Sequence, residues 1–215
     1  MMKLTILYDN TSLRNDLIPD WGFACLIEGE DRRILFDTGA KGELLLSNMK
    51  MLDVSPDSID DVVISHAHWD HVGGLPDFLN RNDDVRLCVP PSFEISHSVA
   101  REVVSVDAPM EIANGIYLTG ELSGIEQALF MKTQRGFATV VGCSHPGIRV
   151  ILEAVARVGK TSALIGGFHG FDEFALLEGM DLICPTHCTQ YKEEIARRYP
   201  ETCKEGGVSQ VFEIP

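Results

Sequence analysis

The sequence predicts a mixed α/β (α+β) fold, and three observations carry that expectation. Short turns rich in Gly and Asn separate apolar runs, which marks β-hairpins early in each half. After the hairpins, strand-like runs alternate with stretches of helical periodicity. Several strands then end in small loops that carry histidine. No linker, low-complexity run or clear repeat interrupts the pattern, so residues 1–215 are expected to form one domain.

Lys3 to Asp9 and Gly22 to Glu28 read as strands. Asp31 to Phe36 follows a Gly29-Glu30-Asp31 turn and should pair with the strand before it, ending in Asp37-Thr38-Gly39. Between the first two strands, Asn10 to Trp21 is long and polar, the pattern of a lid or substrate-facing loop. Trp21 near its end either stacks on a flat substrate or covers the edge of the core. Leu44, Leu45, Met49 and Leu52 make Lys41 to Leu52 a helix. Ser55-Pro56-Asp57-Ser58 reads as a cap with Pro in a first helical turn. Asp61 to Ile64 is a buried strand, Leu75 to Leu79 a short helix and Val85 to Val89 a strand. Pro90-Pro91 then breaks the chain before a helical piece near Phe93 to Ala100.

Asn114-Gly115 between apolar alternations marks a hairpin over 111–118. Gln127 to Thr133 and Phe137 to Val141 form a second one around Gln134-Arg135-Gly136. Ile148, Ile151, Leu152, Val155 and Val158 predict a helix buried on one face. Ser162 to Ile165, Leu182 to Cys184 and Val208 to Ile214 follow as strands, with helices at Glu173 to Leu177 and Tyr191 to Tyr199.

An apolar content of 45%, with 23% charged residues, suits a soluble globular chain, and a net charge of −14 argues against a nucleic-acid or membrane-surface binder. A small-molecule substrate is the expectation. The six cysteines are scattered, the N-terminal apolar run is too short for a signal peptide, and no stretch reaches the roughly 20 apolar residues of a spanning helix. A reducing cytoplasm is the expected compartment.

The chemistry concentrates in Ser65-His66-Ala67-His68-Trp69-Asp70-His71. It sits just past a strand end, where open α/β sheets place their sites, with Gly73-Gly74 giving a tight exit. His66 and His68 are two apart and point the same way in an extended segment, whereas Asp70 and His71 are adjacent and diverge. A polar surface loop would need three of the chain's seven histidines to gather there by accident. His145 in Gly142-Cys143-Ser144-His145-Pro146-Gly147 and His187 in Cys184-Pro185-Thr186-His187 also lie at strand ends. His97, in a polar helical stretch, reads as surface.

His66-x-His68-x-Asp70-His71 resembles the signature of the metallo-β-lactamase superfamily. The resemblance implies a four-layer αββα sandwich. It also implies one or two divalent metal ions, with His66, His68 and His145 holding one and Asp70, His71 and His187 the other. Three protein ligands per metal is the catalytic pattern, and imidazole with carboxylate suits zinc, with iron or manganese also possible. Asp37 is expected beneath the metal loop, orienting a ligand. The implied reaction is that of a metal-dependent hydrolase, in which a metal-activated hydroxide attacks an ester or phosphoester-type bond while Asp70 steers it.

One position departs from the family pattern. Most members carry an Asp after the next strand that bridges both metals, and here Gly166-Gly167-Phe168-His169 offers His169, with Asp172 three residues later. A neutral imidazole has one free lone pair and cannot bridge, so a weaker second site or a single bound metal is expected. His169 then serves as ligand or substrate contact, ahead of Asp172. Together with Gly142 to Ile148 and Pro185-Thr186-His187-Cys188-Thr189, this resembles one subgroup, the 7,8-dihydropterin-6-methyl-4-(β-D-ribofuranosyl)aminobenzene 5′-phosphate synthases. Gln190 stands where that subgroup has Gly. The subgroup implies a transferase that releases pyrophosphate, with Trp21 or Phe168 holding the pterin. A third reading is a non-hydrolytic metal-binding or redox module with an incomplete centre. Cys143, Cys184 and Cys188 read as small buried residues, or alternatively as soft ligands or redox partners.

Overall fold

The computed structural model describes residues 2–94 and 98–215. Its first sheet runs in the order β13 (Val211–Ile214), β1 (Met2–Tyr8), β2 (Ala24–Glu28), β3 (Arg33–Phe36), β4 (Asp61–Val63), β5 (Arg86–Val89), β6 (Glu102–Ser105). The second runs β12 (Leu182–Thr186), β11 (Thr161–Gly167), β10 (Gly136–Val141), β9 (Leu129–Thr133), β8 (Ile116–Leu118), β7 (Met110–Ala113). In each sheet the hairpins expected from the turns are present and antiparallel. β3 to β6 and β10 to β12 are parallel.

The alternation of side chains along each strand builds the layers. Ile34 and Phe36 face the second sheet, where they join Leu4, Ile116, Val140 and Ile165 in a fully buried core. Leu35, between them, points the other way into a cluster with Leu45 and Met49 of α1 (Gly42–Met51) and Phe78 of α3 (Leu75–Arg81). On the outer face of the second sheet, Leu164 and Ile183 pack with Ile148 and Ile151 of α4 (Ile148–Ala156) and Ile195 of α5 (Lys192–Arg198). The result is the αββα order.

Three expectations are corrected. Residues 93, 94 and 98–100 form no helix, and the chain goes on to the edge strand β6, which sequence reading passed over. Glu102-Val103-Val104-Ser105 buries little on either face, so it lacks the alternation of a half-buried strand. Pro56–Ser58 and Phe174–Leu177 are single tight turns rather than α-helices. His97 lies outside the described residues.

Parallel pairing brings the C-terminal ends of β3, β4, β10, β11 and β12 to one edge of the two sheets, where such folds bind ligands. Close approach there requires glycine. Gly166 has φ 128°, and a Cβ on it would stand 2.0 Å from the Val141 carbonyl oxygen. Ile165→Ala, which empties the space between the sheets one residue earlier, should cost about 2–5 kcal/mol in urea unfolding with an unchanged m value.

Candidate metal centre

Three loops meet at this edge. The first leaves β4 through Ser65, runs through His66 and His68, and turns into the one-turn helix α2 (Trp69–Val72) that carries Asp70 and His71. The second leaves β10 and carries Cys143 and His145, and the third leaves β12 and carries His187 and Cys188. The rings of His66, His68 and His145 form a near-equilateral triangle with centroids 4.6, 4.7 and 4.6 Å apart. Their ring nitrogens lie within 4.8 Å of one another, as do the ligand atoms of Asp70, His71 and His187.

Hydrogen bonds behind the rings fix which nitrogen faces inward. Ser65 Oγ donates to Asp37 Oδ2 at 2.6 Å, so its oxygen is left to accept from His66 Nδ1 at 2.8 Å. His71 Nδ1 donates to the same Asp37 oxygen at 2.7 Å, His145 Nδ1 to Glu126 Oε2 at 2.9 Å, and His187 Nδ1 to Asn10 Oδ1 at 3.0 Å. With Nδ1–H engaged in all four, each Nε2 presents a lone pair to the centre. The Nε2 atoms of His66 and His187 are buried without a hydrogen-bond partner. That of His187 lies 3.1 Å from Asp70 Oδ2. Electron-rich atoms gathered this way suit a shared divalent cation. Burial, reinforced by neighbouring imidazoles, pushes His66 and His71 down to about 3, which keeps them neutral and ready to ligate.

Two buried carboxylates support this arrangement. Asp37 also accepts the Ser65 backbone N–H at 2.7 Å; burial pushes it up to about 7, against the opposing pull of His66 and Ser65. Glu126 is 1% exposed and takes the backbone N–H groups of Gly142, Cys143, Ser144 and His145 as well as the His145 ring. Burial works against its charge, yet the His145 ring and these backbone donors hold it down to about 2, and Glu126 in turn raises His145. At the end of β1, Asp9 Oδ1 takes the His187 backbone N–H at 2.8 Å. Four non-glycine residues of the centre, Asp37, Ser144, His169 and His187, hold positive φ of 43–62°. Such strain concentrates where the surroundings over-determine a functional backbone.

The chain matches the family model of the metallo-β-lactamase superfamily over residues 20–152. The chain belongs to the metallo-β-lactamase superfamily. A 7,8-dihydropterin-6-methyl-4-(β-D-ribofuranosyl)-aminobenzene-5′-phosphate synthase of Methanocaldococcus jannaschii is 31% identical, with 82% of this chain and 84% of the relative covered. Among solved structures, Tm1679, a metal-dependent hydrolase of the β-lactamase superfamily, superposes with a TM-score of 0.81 at 23% identity over 100% of this chain and 99% of that one. The metallo-β-lactamase fold protein YhfI from Bacillus subtilis gives 0.71 at 13% identity over 99% and 100%.

Set against the superfamily pattern, the structure gathers His66, His68, Asp70, His71, His145 and His187 and places Asp37 on the His71 ring. Trp21 is at the centre too: its indole N–H donates to Asp70 Oδ2 at 2.8 Å and its ring meets His187 edge-on. Phe168 does not reach a substrate. It is 1% exposed, because it points into the apolar cluster under α4 and α5. Asp172 is exposed on the loop beyond and joins no ligand group. His169 is exposed as well, with its ring 5.5 Å from that of His145 and outside every ligand group, so it stands at the rim rather than between the two triads.

Sequence reasoning missed Glu126, Asp9, Asn10 and Trp69. Nothing adjacent to Glu126 marks it as buried, since its partners lie 16 or more residues away. Trp69, 63% exposed between two ligand residues, had a visible signal in its position. Glu126→Gln should keep the shape but weaken the support of the His145 loop. Metal affinity, read by competition with a chromogenic chelator, should fall about 10–100-fold.

Proposed function

We propose that the protein is a metal-dependent hydrolase acting on an ester or phosphoester-type bond of a small molecule. The observation that carries the reading is the convergence of inward-facing imidazole nitrogens and the Asp70 carboxylate at the open edge of both sheets. His66, His68 and His145 would hold one divalent metal, and Asp70, His71 and His187 a second, with zinc the best match to the donors. When bound, such ions polarise a substrate oxygen and yield a nucleophile from water near neutral pH. Asp70, whose Oδ2 is held by Trp21, orients the attacking water with its other oxygen. His169, at the rim with its ring 5.5 Å from that of His145, is placed to contact substrate. The chain's net charge of −14, and the lack of any helix long and apolar enough to cross a membrane among the described residues, fit a small-molecule enzyme of the cytoplasm.

A second reading is favoured by the 31% identical synthase and by two exposed indoles, Trp21 and Trp69, beside the ligands. In that reading a pterin-methyl diphosphate loses pyrophosphate and is joined to an aminobenzene ring, with the indoles stacking on the flat reactants. Divalent ions held by the same ligands would supply the positive charge that stabilises the departing diphosphate.

Pyrophosphate release from a pterin-methyl diphosphate, measured with and without an aminobenzene acceptor, separates the two. Release that requires the acceptor supports the synthase, and turnover of simple phosphoesters by water alone supports the hydrolase. In either case His68→Ala should lose metal and activity together. Trp69→Ala should raise KM about 5–30-fold with little change in kcat, the effect of one lost stacking contact. A His68→Ala protein with full metal and full activity would overturn the metal-dependent reading.

A further inference from the structure

Two thiols stand inside the centre. Cys143 Sγ is 3.2 Å from His71 Nε2 and 3.3 Å from Cys188 Sγ. We infer that Cys143 and Cys188 are thiolate ligands of the metal centre, with Cys143 between its two halves and Cys188 on the His187 side. The inference rests on the reading of this edge as a metal site and adds ligands that the six-residue set lacks.

Ligand grouping places Cys143 between the halves. Its sulfur lies within 4.8 Å of the ligand atoms of His66 and His71 in one group, and of His187 and Cys188 in another. His66 belongs to the first triad and His187 to the second, so this sulfur reaches both. The Nε2 atoms of those same two histidines are the buried ring nitrogens without a hydrogen-bond partner. Atoms bound to one zinc ion at about 2.0–2.3 Å sit about 3–4 Å apart, the range of the two sulfur contacts.

The site is built for the sulfurs. The Cys143 backbone N–H is tied to Glu126, which fixes the loop. A Cβ at Gly167 would stand 2.7 Å from Cys188 Sγ, so glycine there makes the room that the sulfur uses. The other four cysteines lie elsewhere: Cys25, Cys88 and Cys184 are in the core between the sheets, and Cys203 packs against the cluster under α4 and α5.

Charge points the same way. Asp70 is the single anion among the six ligands, and the carboxylates of Asp37 and Glu126 stand behind the rings on their Nδ1 side rather than at the ligating atoms. His169 cannot add charge when neutral and stands at the rim. Two thiolates supply it. Each thiol releases its proton to solvent as the sulfur–metal bond forms, and no electron moves. Sulfur ligands also select zinc or ferrous iron over magnesium and manganese.

The test is the full chain, purified under reductant and loaded with cobalt(II). Sulfur-to-cobalt charge transfer should give a strong near-ultraviolet band. Cys143→Ser should remove most of it and weaken the second equivalent of cobalt at least tenfold, and Cys188→Ser should remove a smaller part. Cys184→Ser should leave the band unchanged. Circular dichroism and the visible cobalt bands of the three-histidine half report whether each variant keeps its fold. Full cobalt loading without the near-ultraviolet band overturns the inference. So does a band that survives in the double variant, or a Cys143–Cys188 disulfide recovered from loaded protein. Failure to bind cobalt at all overturns the metal-site reading instead.

Discussion

Asp37 and Glu126 set the geometry on which the centre depends. Each is a carboxylate buried to within 1% of zero exposure, a state that is costly unless nearly every lone pair finds a donor. Asp37 meets that demand with Ser65 and His71, and Glu126 with four consecutive backbone N–H groups and His145. One belongs to a loop of the first sheet and the other to a loop of the second. Because the donors they recruit are the ligands or their immediate neighbours, satisfying the charges and orienting the imidazoles are the same event. The burial of two carboxylates is thereby tied to the orientation of the imidazoles around the centre.

The sheets make this possible through parallel pairing. β3 with β4, and β10 with β11 and β12, deliver five chain ends to one edge, where the backbone turns sharply. Several of those turns adopt positive φ in residues with side chains, which local preference alone would not choose. Gln127 links the halves: its backbone N–H donates to the Ser65 carbonyl and its side-chain amide to that of Ile64. The strand end that starts the main ligand loop is thus anchored from the opposite sheet.

Ligands clustered in sequence were legible, and what they rest on was not. His66, His68, Asp70 and His71 announce themselves by spacing, and His145 and His187 by sitting in small-residue loops after apolar runs. The hairpins were readable because Asn114-Gly115 and Gln134-Arg135-Gly136 have local turn chemistry. Glu126, Asp9 and Asn10 act across 16 to 178 residues, and a lone acidic or amide residue beside a strand looks the same whether buried or solvated. β6 escaped for the opposite reason: an edge strand buries little, so the chain has no need to alternate there. Phe168 shows how far adjacency misleads. It precedes a rim histidine, yet strand alternation turns it into the helix-facing core.

The superfamily pattern leads to an anion after β11, and this chain puts an exposed histidine there. The proposed thiolates would resolve the conflict from the two strands that flank β11. Cys143 and Cys188 approach from the loops after β10 and β12, through space that Gly167 of β11 leaves clear. A carboxylate on the β11 loop and a sulfur on its neighbours are alternative ways of placing negative charge between the same two triads. Their consequences differ. A carboxylate is hard and tolerant of many divalent ions, whereas sulfur narrows the choice to soft metals and exposes the centre to oxidation. With the charge on the β10 and β12 loops, His169 is left exposed at the rim beside His145. The departure at one position therefore reads as a redistribution of roles among three adjacent strands rather than as the loss of a ligand.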